Sequence, residues 1–441
     1  MTASLAYPDR VSRRASILLD RALTELRHGR AVIIQTSSGS PWLFAAVETL
    51  TQPAWQQLQD IHPVWRLFLS AQRVRALGLA GAGSQAEGGG VGVSEDGPGV
   101  ERPWTQRLPA GIGLNQLWQA AGLDVSVPVS APEPLLSAGL VPLLQPGRFE
   151  GAREASGAPA SADGLTATTA EAGQHAPEGE GAFEAVSAVL VLARQGRLAP
   201  AVVGIPCPAG ADAGLADWLD DVLRVPAEPI LAQARLRPVW LERVSEAPVP
   251  LADAEDSHFV MFREPGSDFE HVAVVVGKPA ADLPVRVRLH SSCITGDLFG
   301  SLRCDCGDQL RGTVKRLAQG GGGIVLYLSQ EGRGIGLANK LRAYRRQDQG
   351  LDTLDANQSL GFRVDERHFE VAAGMLLQLG VKRIHLLTNN PAKIAALSAA
   401  GIEVVEREEV MGGVNPHNQR YLATKLKRGG HLFDEDSLQN P

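Results

Sequence analysis

VRVRLHSSCITGDLFGSLRCDCGDQLRGTVKRLAQGGGGIVLYLS, residues 285–329, decides the fold class. VRVRLH (285–290) alternates apolar and charged residues, the period of a strand. DQLRGTVKRLAQ (308–319) changes to a helical period, with Leu310, Val314 and Leu317 on one face. GIVLYLS (323–329) is a short continuous apolar run, as buried strands are. Strand, helix and strand in this order predict a layered α/β unit.

The alternation continues downstream. GLANKLRAYRRQD (336–348) and ERHFEVAAGMLLQL (366–379) read as helices, and RIHLLT (383–388) as a strand. PAKIAALSAAG (391–401) reads as a helix with proline in its first turn, and EVVERE (403–408) as a closing strand. The expected domain runs over 235–432, with a tail over 433–441.

Upstream, residues 1–230 predict a second α/β domain. RRASILLDRALTELRHGR (13–30) is amphipathic, with Ile17, Leu18, Ala22 and Leu26 near helical spacing, and AVIIQT (31–36) follows as a buried strand. EAVSAVLVLARQG (184–196) reads as a helix and APAVVGIP (199–206) as a strand. Two stretches rich in Gly, Ala and Ser, 77–100 and 151–180, lack large apolar residues to offset ordering entropy. They are expected to be disordered insertions.

Composition narrows the function classes. The 441 residues suit two or three domains, and 44% hydrophobic with 21% charged residues is ordinary for a globular chain. A net charge of −7 argues against a nucleic-acid binder. Residues 281–346 nonetheless hold eleven Lys or Arg against five Asp or Glu, which suits either solvated helix faces or a site for a small polyanion such as a triphosphate. No apolar run reaches the roughly 18 residues of a membrane span, and the N-terminus lacks a signal peptide's apolar centre. A cytoplasmic protein without a membrane partner is expected.

Three of the four cysteines, Cys293, Cys304 and Cys306, lie within fourteen residues. In a reducing compartment that clustering points to a metal or to catalysis. Cys207, alone in GIPCPAG, reads as a small buried hydrophobe. Residues 304 and 306 can converge only if RCDCG turns, which Gly307 would permit. Three thiolates suit Zn²⁺. With no fourth cysteine nearby, the preferred reading is an open site whose last position goes to water, ionised near neutral pH. His290, three residues before Cys293, is the alternative closing ligand.

Other motifs suit anions. SQEGRGIGLANK (329–340) sets Gly332, Gly334 and Gly336 between a strand and a helix, with Arg333 as a forked donor. In LLTNNPAKI (386–394), Thr388 or Asn390 can cap the next helix, and Lys393 sits in a first turn that disfavours cations, as an anion-binding or simply exposed residue. RVDERHF (363–369) sets Asp365 and Arg367 at an expected helix start: an acidic N-cap region, or a carboxylate base beside a guanidinium.

Together these residues resemble the GTP cyclohydrolase II family of riboflavin biosynthesis. The resemblance covers about 235–432 and rests on RLHSSCITGD, SLRCDCGDQL, QEGRGIGLANKLRAYRRQDQGLDT, ANQSLGF, DER, LLTNNPAK and YLATK, all in family order. It implies hydrolysis of GTP to 2,5-diamino-6-(5-phosphoribosylamino)pyrimidin-4(3H)-one, formate and pyrophosphate. It implies one Zn²⁺ per subunit on Cys293, Cys304 and Cys306, Mg²⁺ with the triphosphate, and a homodimer. It implies GTP contacts from Arg288, Leu289, His290, Ser291, Ser292, Gln309, Glu331, Gly332, Arg333, Thr353, Thr388 and Lys393. Of these, Arg333 and Lys393 would meet phosphates, and Gln309 or Glu331 the guanine edge. Asp365 matches the family's proton acceptor, Arg367 its nucleophile towards the α-phosphate, and Tyr344 a tyrosine needed to complete ring opening. A guanidinium is a poor nucleophile, and charge stabilisation would require the same arginine. Ser292 stands where many members carry glutamate, and GRG where some carry GRN. Alternatives are a related zinc hydrolase of pyrimidine catabolism and a non-catalytic GTP-sensing zinc protein.

Residues 22–58 and 181–203 are similar in layout to 3,4-dihydroxy-2-butanone 4-phosphate synthase, often fused ahead of this enzyme. The family's acidic metal-binding loop is here QTSSGSPWLF (35–44), and Ala182 and Phe183 replace its histidine and threonine. A degenerate, inactive domain is expected, which disfavours a bifunctional enzyme.

Overall fold

The computed structural model describes residues 10–77, 103–126, 141–142, 181–208, 213–235, 241–264, 269–280, 283–428, 430 and 432. Both insertions expected to be disordered fall almost wholly outside these residues, as does the 433–441 tail. Packing divides the chain into two units. One comprises Met1–Asp20, Arg237–Asn357 and Arg363–Pro441, the other Arg21–Leu236 and Gln358–Phe362. Both combine helices with one sheet, in accord with the expected α/β class.

The N-terminal sheet contains β1 (Val32–Gln35), β2 (Pro41–Ala46), β3 (Arg66–Leu69), β4 (Trp104–Arg107), β5 (Val141–Pro142), β6 (Ala201–Pro206) and β7 (Arg224–Pro226). Their order is β5-β4-β3-β6-β2-β1-β7, antiparallel except for β1 beside β7. Its helices are the second part of α1 (Arg10–Arg27), from Arg21 onward, with α2 (Gln52–Ile61), α3 (Ala71–Ala76), α4 (Leu114–Ala121), α5 (Ala182–Gln195), α6 (Ala213–Asp221) and α7 (Ala227–Arg235). In α5, Ala185–Ala193 is buried without a break, as an apolar helix inside a core must be. On α1 the buried stripe is Leu19, Ala22, Leu23 and Leu26, while Ile17 is 59% exposed. The expected face was therefore off by part of a turn: only the set at i, i+3, i+4 and i+7 from Leu19 shares one side.

The C-terminal sheet contains β8 (Glu242–Pro248), β9 (Ser257–Arg263), β10 (Glu270–Val276), β11 (Val285–Ser291), β12 (Gly323–Leu328), β13 (Arg383–Leu387) and β14 (Glu403–Glu408). Their order is β14-β13-β11-β12-β10-β9-β8. The first four run parallel, and β10, β9 and β8 continue antiparallel. The helices are α8 (Ile294–Asp297), α9 (Cys306–Gln319), α10 (Gly336–Asp348), α11 (Thr353–Ser359), α12 (Glu370–Gln378), α13 (Pro391–Ala399) and α14 (Gln419–Lys427). Leu310, Val314 and Leu317 of α9 pack on one face of the sheet, as expected. α12 packs on the other, through Val371, Ala372, Met375 and Leu376.

Two expectations change here. β11 does not alternate in burial: Arg288, Leu289 and His290 are buried in succession, because the strand lies between two parallel neighbours. The helix expected from residue 366 begins at Glu370, so Asp365 is no N-cap. Residues 363–367 instead bind a loop: Glu366 N–H donates to Arg333 O at 3.0 Å, and Arg363 N–H to the Glu366 carboxylate at 2.9 Å.

From β11 the chain goes to β12 on one side and then to β13 on the other. Ligands of open α/β sheets bind at the carboxyl ends of strands where the order reverses in this way. Three loops meet there: 292–293 after β11, 329–333 after β12 and 388–390 after β13. No helix among the described residues is long and apolar enough to cross a membrane.

Candidate active site

A cavity opens at this end of the sheet. Seven Lys or Arg side chains line it, against the carboxylates Asp305 and Glu331, so its charge suits a polyanion.

Cys293, at the end of the β11 loop, meets Cys304 and Cys306 at the start of α9, and their three sulfurs all lie within 4.8 Å of one another. The Cys293–Cys304 Sγ separation is 3.7 Å. Two thiolates on tetrahedral zinc, each at about 2.3 Å, would lie about 3.8 Å apart, so the trio fits such an ion. Among the described residues no fourth His, Cys, Asp or Glu joins the group. His290 does not close it, because its Nε2 faces Asp297 Oδ1 at 3.0 Å and its ring stacks on Tyr327. Asp297 also accepts from Cys293 N–H and from the Tyr327 hydroxyl, both at 2.9 Å. It thereby orients the first cysteine.

Glycine shapes this cradle by absence of bulk. A Cβ on Gly296 would sit 2.8 Å from Cys304 Sγ and 3.2 Å from Cys293 Sγ. One on Gly307 would lie 2.3 Å from Gly296 O. Gly307 is thus required for close approach to the neighbouring turn and not, as expected, for backbone freedom; it lies inside α9. Bonds from the Cys304 and Cys306 thiols hold Cys293 far below the usual thiol range. The same bonding pushes Cys304 up to about 11, and Cys306 up as well. Cys207 is half-buried against the N-terminal core, and burial raises its thiol to about 11.

Lys340, from the second turn of α10, reaches the cluster. Its Nζ donates to Cys293 Sγ at 3.1 Å, Thr295 Oγ1 at 2.9 Å and Glu331 Oε1 at 2.7 Å. Burial opposes its charge, but Tyr344, Glu331 and Cys293 outweigh that and hold its pKa above the ordinary value. Glu331 also accepts from Ile294 N–H at 2.6 Å and Gly332 N–H at 3.0 Å. Gly332 and Arg333 turn with φ of 64° and 61°. A left-handed arginine is uncommon, and here it directs the side chain along the cavity wall.

The buried Arg288 guanidinium donates to Leu387 O at 2.9 Å and to Gln309 Oε1 at 2.5 Å. Burial pushes its pKa down to about 10, against the pull of Asp305 and Cys306. Gln309 Nε2 donates to Asp305 at 2.6 Å, and Lys425 Nζ to the other oxygen of Asp305 at 3.0 Å. Lys393 is buried, not exposed, and burial with Arg288 and Arg367 nearby holds its pKa well below the ordinary value. Asn390 caps α13 by accepting from Ala392 N–H, while Thr388 Oγ1 accepts from Asn390 N–H.

Asp365 grips Arg367 with both oxygens, at 2.9 Å from Nε and 2.6 Å from NH2. Burial opposes ionisation of both groups, yet each holds its partner charged: the carboxyl is lowered and the guanidinium raised. Arg367 lines the cavity and Asp365 stands behind it. Ser292 Oγ accepts from Gln330 N–H at 3.1 Å, so it ties the β11 and β12 loops together. His290, Ser291, Thr353 and Tyr344 also line the cavity, whereas Leu289 is buried and does not. Lys340, Asp297, Asp305, Tyr421 and Lys425 were absent from the sequence-based set. Tyr421 and Lys425, at i and i+4 of YLATK, share a helix face, which is the signal that could have found them.

The family model for GTP cyclohydrolase II matches residues 242–409. A GTP cyclohydrolase-2 of Azospirillum brasilense is 40% identical over 421 residues, 94% of each chain. A GTP cyclohydrolase-2 of Escherichia coli O9:H4 (strain HS) is 49% identical over 195 residues, 44% of this chain and 99% of that one. Among solved structures, a two-domain 3,4-dihydroxy-2-butanone 4-phosphate synthase from A. baumannii aligns over 90% of this chain and 99% of that one. Its 17% identity and TM-score of 0.27 are too low to carry an argument.

Proposed function

The chain belongs to the GTP cyclohydrolase II family of enzymes, and from that premise we propose that it opens GTP to 2,5-diamino-6-(5-phosphoribosylamino)pyrimidin-4(3H)-one, formate and pyrophosphate. The observation that carries this reading is the trio of Cys293, Cys304 and Cys306 on the rim of a cavity rich in cations.

Cys293, Cys304 and Cys306 would hold zinc, whose chemistry when bound is Lewis-acid activation of water for attack at guanine C8. The protein's own groups do the rest. Arg288, Arg333, Arg367 and Lys393 form the cationic wall for the triphosphate, which would carry Mg²⁺ on its own oxygens. Asp365 holds Nε and one terminal nitrogen of Arg367 and so fixes its plane, and the remaining N–H groups would meet the α-phosphate as charge stabilisers. The raised pKa of Arg367 supports that role over covalent attack. Tyr344 lines the cavity with Arg303 over its ring at 5.0 Å, which supports the role of completing ring opening. Gln309 or Glu331 would read the guanine edge, and Gln309 would do so beside its bonds to Arg288 and Asp305. Both Glu331 oxygens are likewise bonded, so either residue also has a structural task.

The remaining proposals are a homodimer, a cytoplasmic location, and domains at 1–230 and 235–432. The N-terminal domain is proposed to be an inactive synthase-like domain. In its loop after β1, Ser37 donates through N–H and hydroxyl to Glu184, so that carboxylate is engaged within the protein. Conversion of ribulose 5-phosphate by this chain would overturn that part.

The main reading is tested by anaerobic turnover of GTP with Mg²⁺, following formate and pyrophosphate with and without a zinc chelator. Both products, with formate abolished by chelation, are expected. Binding of GTP without either product would make the chain a sensor.

A further inference from the structure

Lys340 is a buried cation with no route to a conventional lysine role. Its ammonium has three donors, and Cys293 Sγ, Thr295 Oγ1 and Glu331 Oε1 take all three. Nothing is left to hold a substrate atom or to accept a proton. Its carboxylate partner is locked in turn by Ile294 N–H, next to the first cysteine.

We propose that Lys340 is a positioning residue for the metal, a fixed ammonium whose bond to Cys293 offsets part of the charge of the three thiolates. The inference rests on reading the cysteines as a metal site, and it adds a group that tunes that site. Three thiolates on a divalent ion leave one net negative charge. Both Lys340 and Glu331 are under 10% exposed, so little solvent screens them. A hydrogen bond from a cation draws electron density from the sulfur, so the thiolate donates less to the metal and the metal remains a stronger Lewis acid. Groups beyond the ligand shell commonly tune metals in this way. Glu331 limits the effect by sharing the same ammonium.

The test uses the full chain loaded with cobalt(II), reading the near-ultraviolet thiolate-to-cobalt absorption band and the bound cobalt per chain. In Lys340→Met the band is expected to move to longer wavelength, because a more electron-rich thiolate is easier to oxidise. Lys340→Arg, which keeps the charge, is expected to restore the parental position. A Met-variant band at the parental position, or a shift that arginine does not reverse, overturns the proposal. If Lys340→Met does not fold, Glu331→Gln decides. It frees the ammonium to pull harder on Cys293, so the band is expected at shorter wavelength, and an unmoved band sinks the idea. None of these readouts involves nucleotide. A parental chain that shows no thiolate–cobalt band ends the metal-site reading, and this inference with it. A chain with the expected shifts that fails to open GTP ends the proposed activity alone.

Discussion

Lys393 Nζ donates to the backbone carbonyl of Leu289 at 2.7 Å. The bond lies where β11 and β13 stop pairing, two residues beyond Val287 of the last pair, Val287–Leu386. Arg288 crosses the same gap in the other direction, to Leu387 O at 2.9 Å. Two cations thus fill the divergence between parallel strands, and both face the cavity. This explains how a lysine is tolerated in the first turn of α13 against the helix dipole: a carbonyl on the neighbouring strand satisfies it.

Replacing Lys393 by methionine removes a cation from the proposed phosphate wall. Hydrogen bonds to charged groups contribute about 1.5–3 kcal/mol, so the KM for GTP is expected to rise about tenfold to a hundredfold. Steady-state kinetics with formate detection checks this, and an unchanged KM would remove Lys393 from the triphosphate site.

Lys393 also predicts a proton linkage. Its folded pKa is lowered by burial, Arg288 and Arg367, so the unfolded chain binds more protons between that depressed value and the ordinary one. Its contribution to stability therefore improves as pH rises through that window and worsens as pH falls. A bound triphosphate reverses the shift, so binding in the same window is expected to take up protons. Calorimetry with a non-hydrolysable GTP analogue, in buffers of different ionisation enthalpy, reads the uptake directly. It is expected to vanish in Lys393→Met.

Gly296→Ala tests the cysteine cradle without touching a ligand. The new Cβ would press on two sulfurs at 2.8 and 3.2 Å. Metal bound per chain is expected to fall below one equivalent while the circular dichroism spectrum is retained. Full metal content in this variant would show that the cradle is looser than the packing implies.

Arg367→Lys keeps a positive charge but loses the planar fork that Asp365 holds. If the guanidinium oriented by Asp365 stabilises charge at the α-phosphate through its remaining N–H groups, pyrophosphate release is expected to slow about 10²–10³-fold with metal content unchanged. A lysine variant of near-parental rate would place the chemistry elsewhere.

The α/β alternation, the metal-suited cysteines and the glycine-rich anion loop were legible in the sequence, because each depends on residue type and short spacing. The two-sided burial of β11 was not, since a strand's neighbours are set by sheet order. Nor was the late start of α12, where bonds from 363–366 to the Arg333 loop and within the segment outcompete helix formation. Lys340 and Lys425 looked like ordinary helix cations and became buried partners of Cys293 and Asp305 across 47 and 120 residues. By itself the sequence determined which chemistry the chain can carry. Tertiary structure alone decided which charges face one another, because pairing across such separations depends on strand order and burial, which local periodicity does not encode.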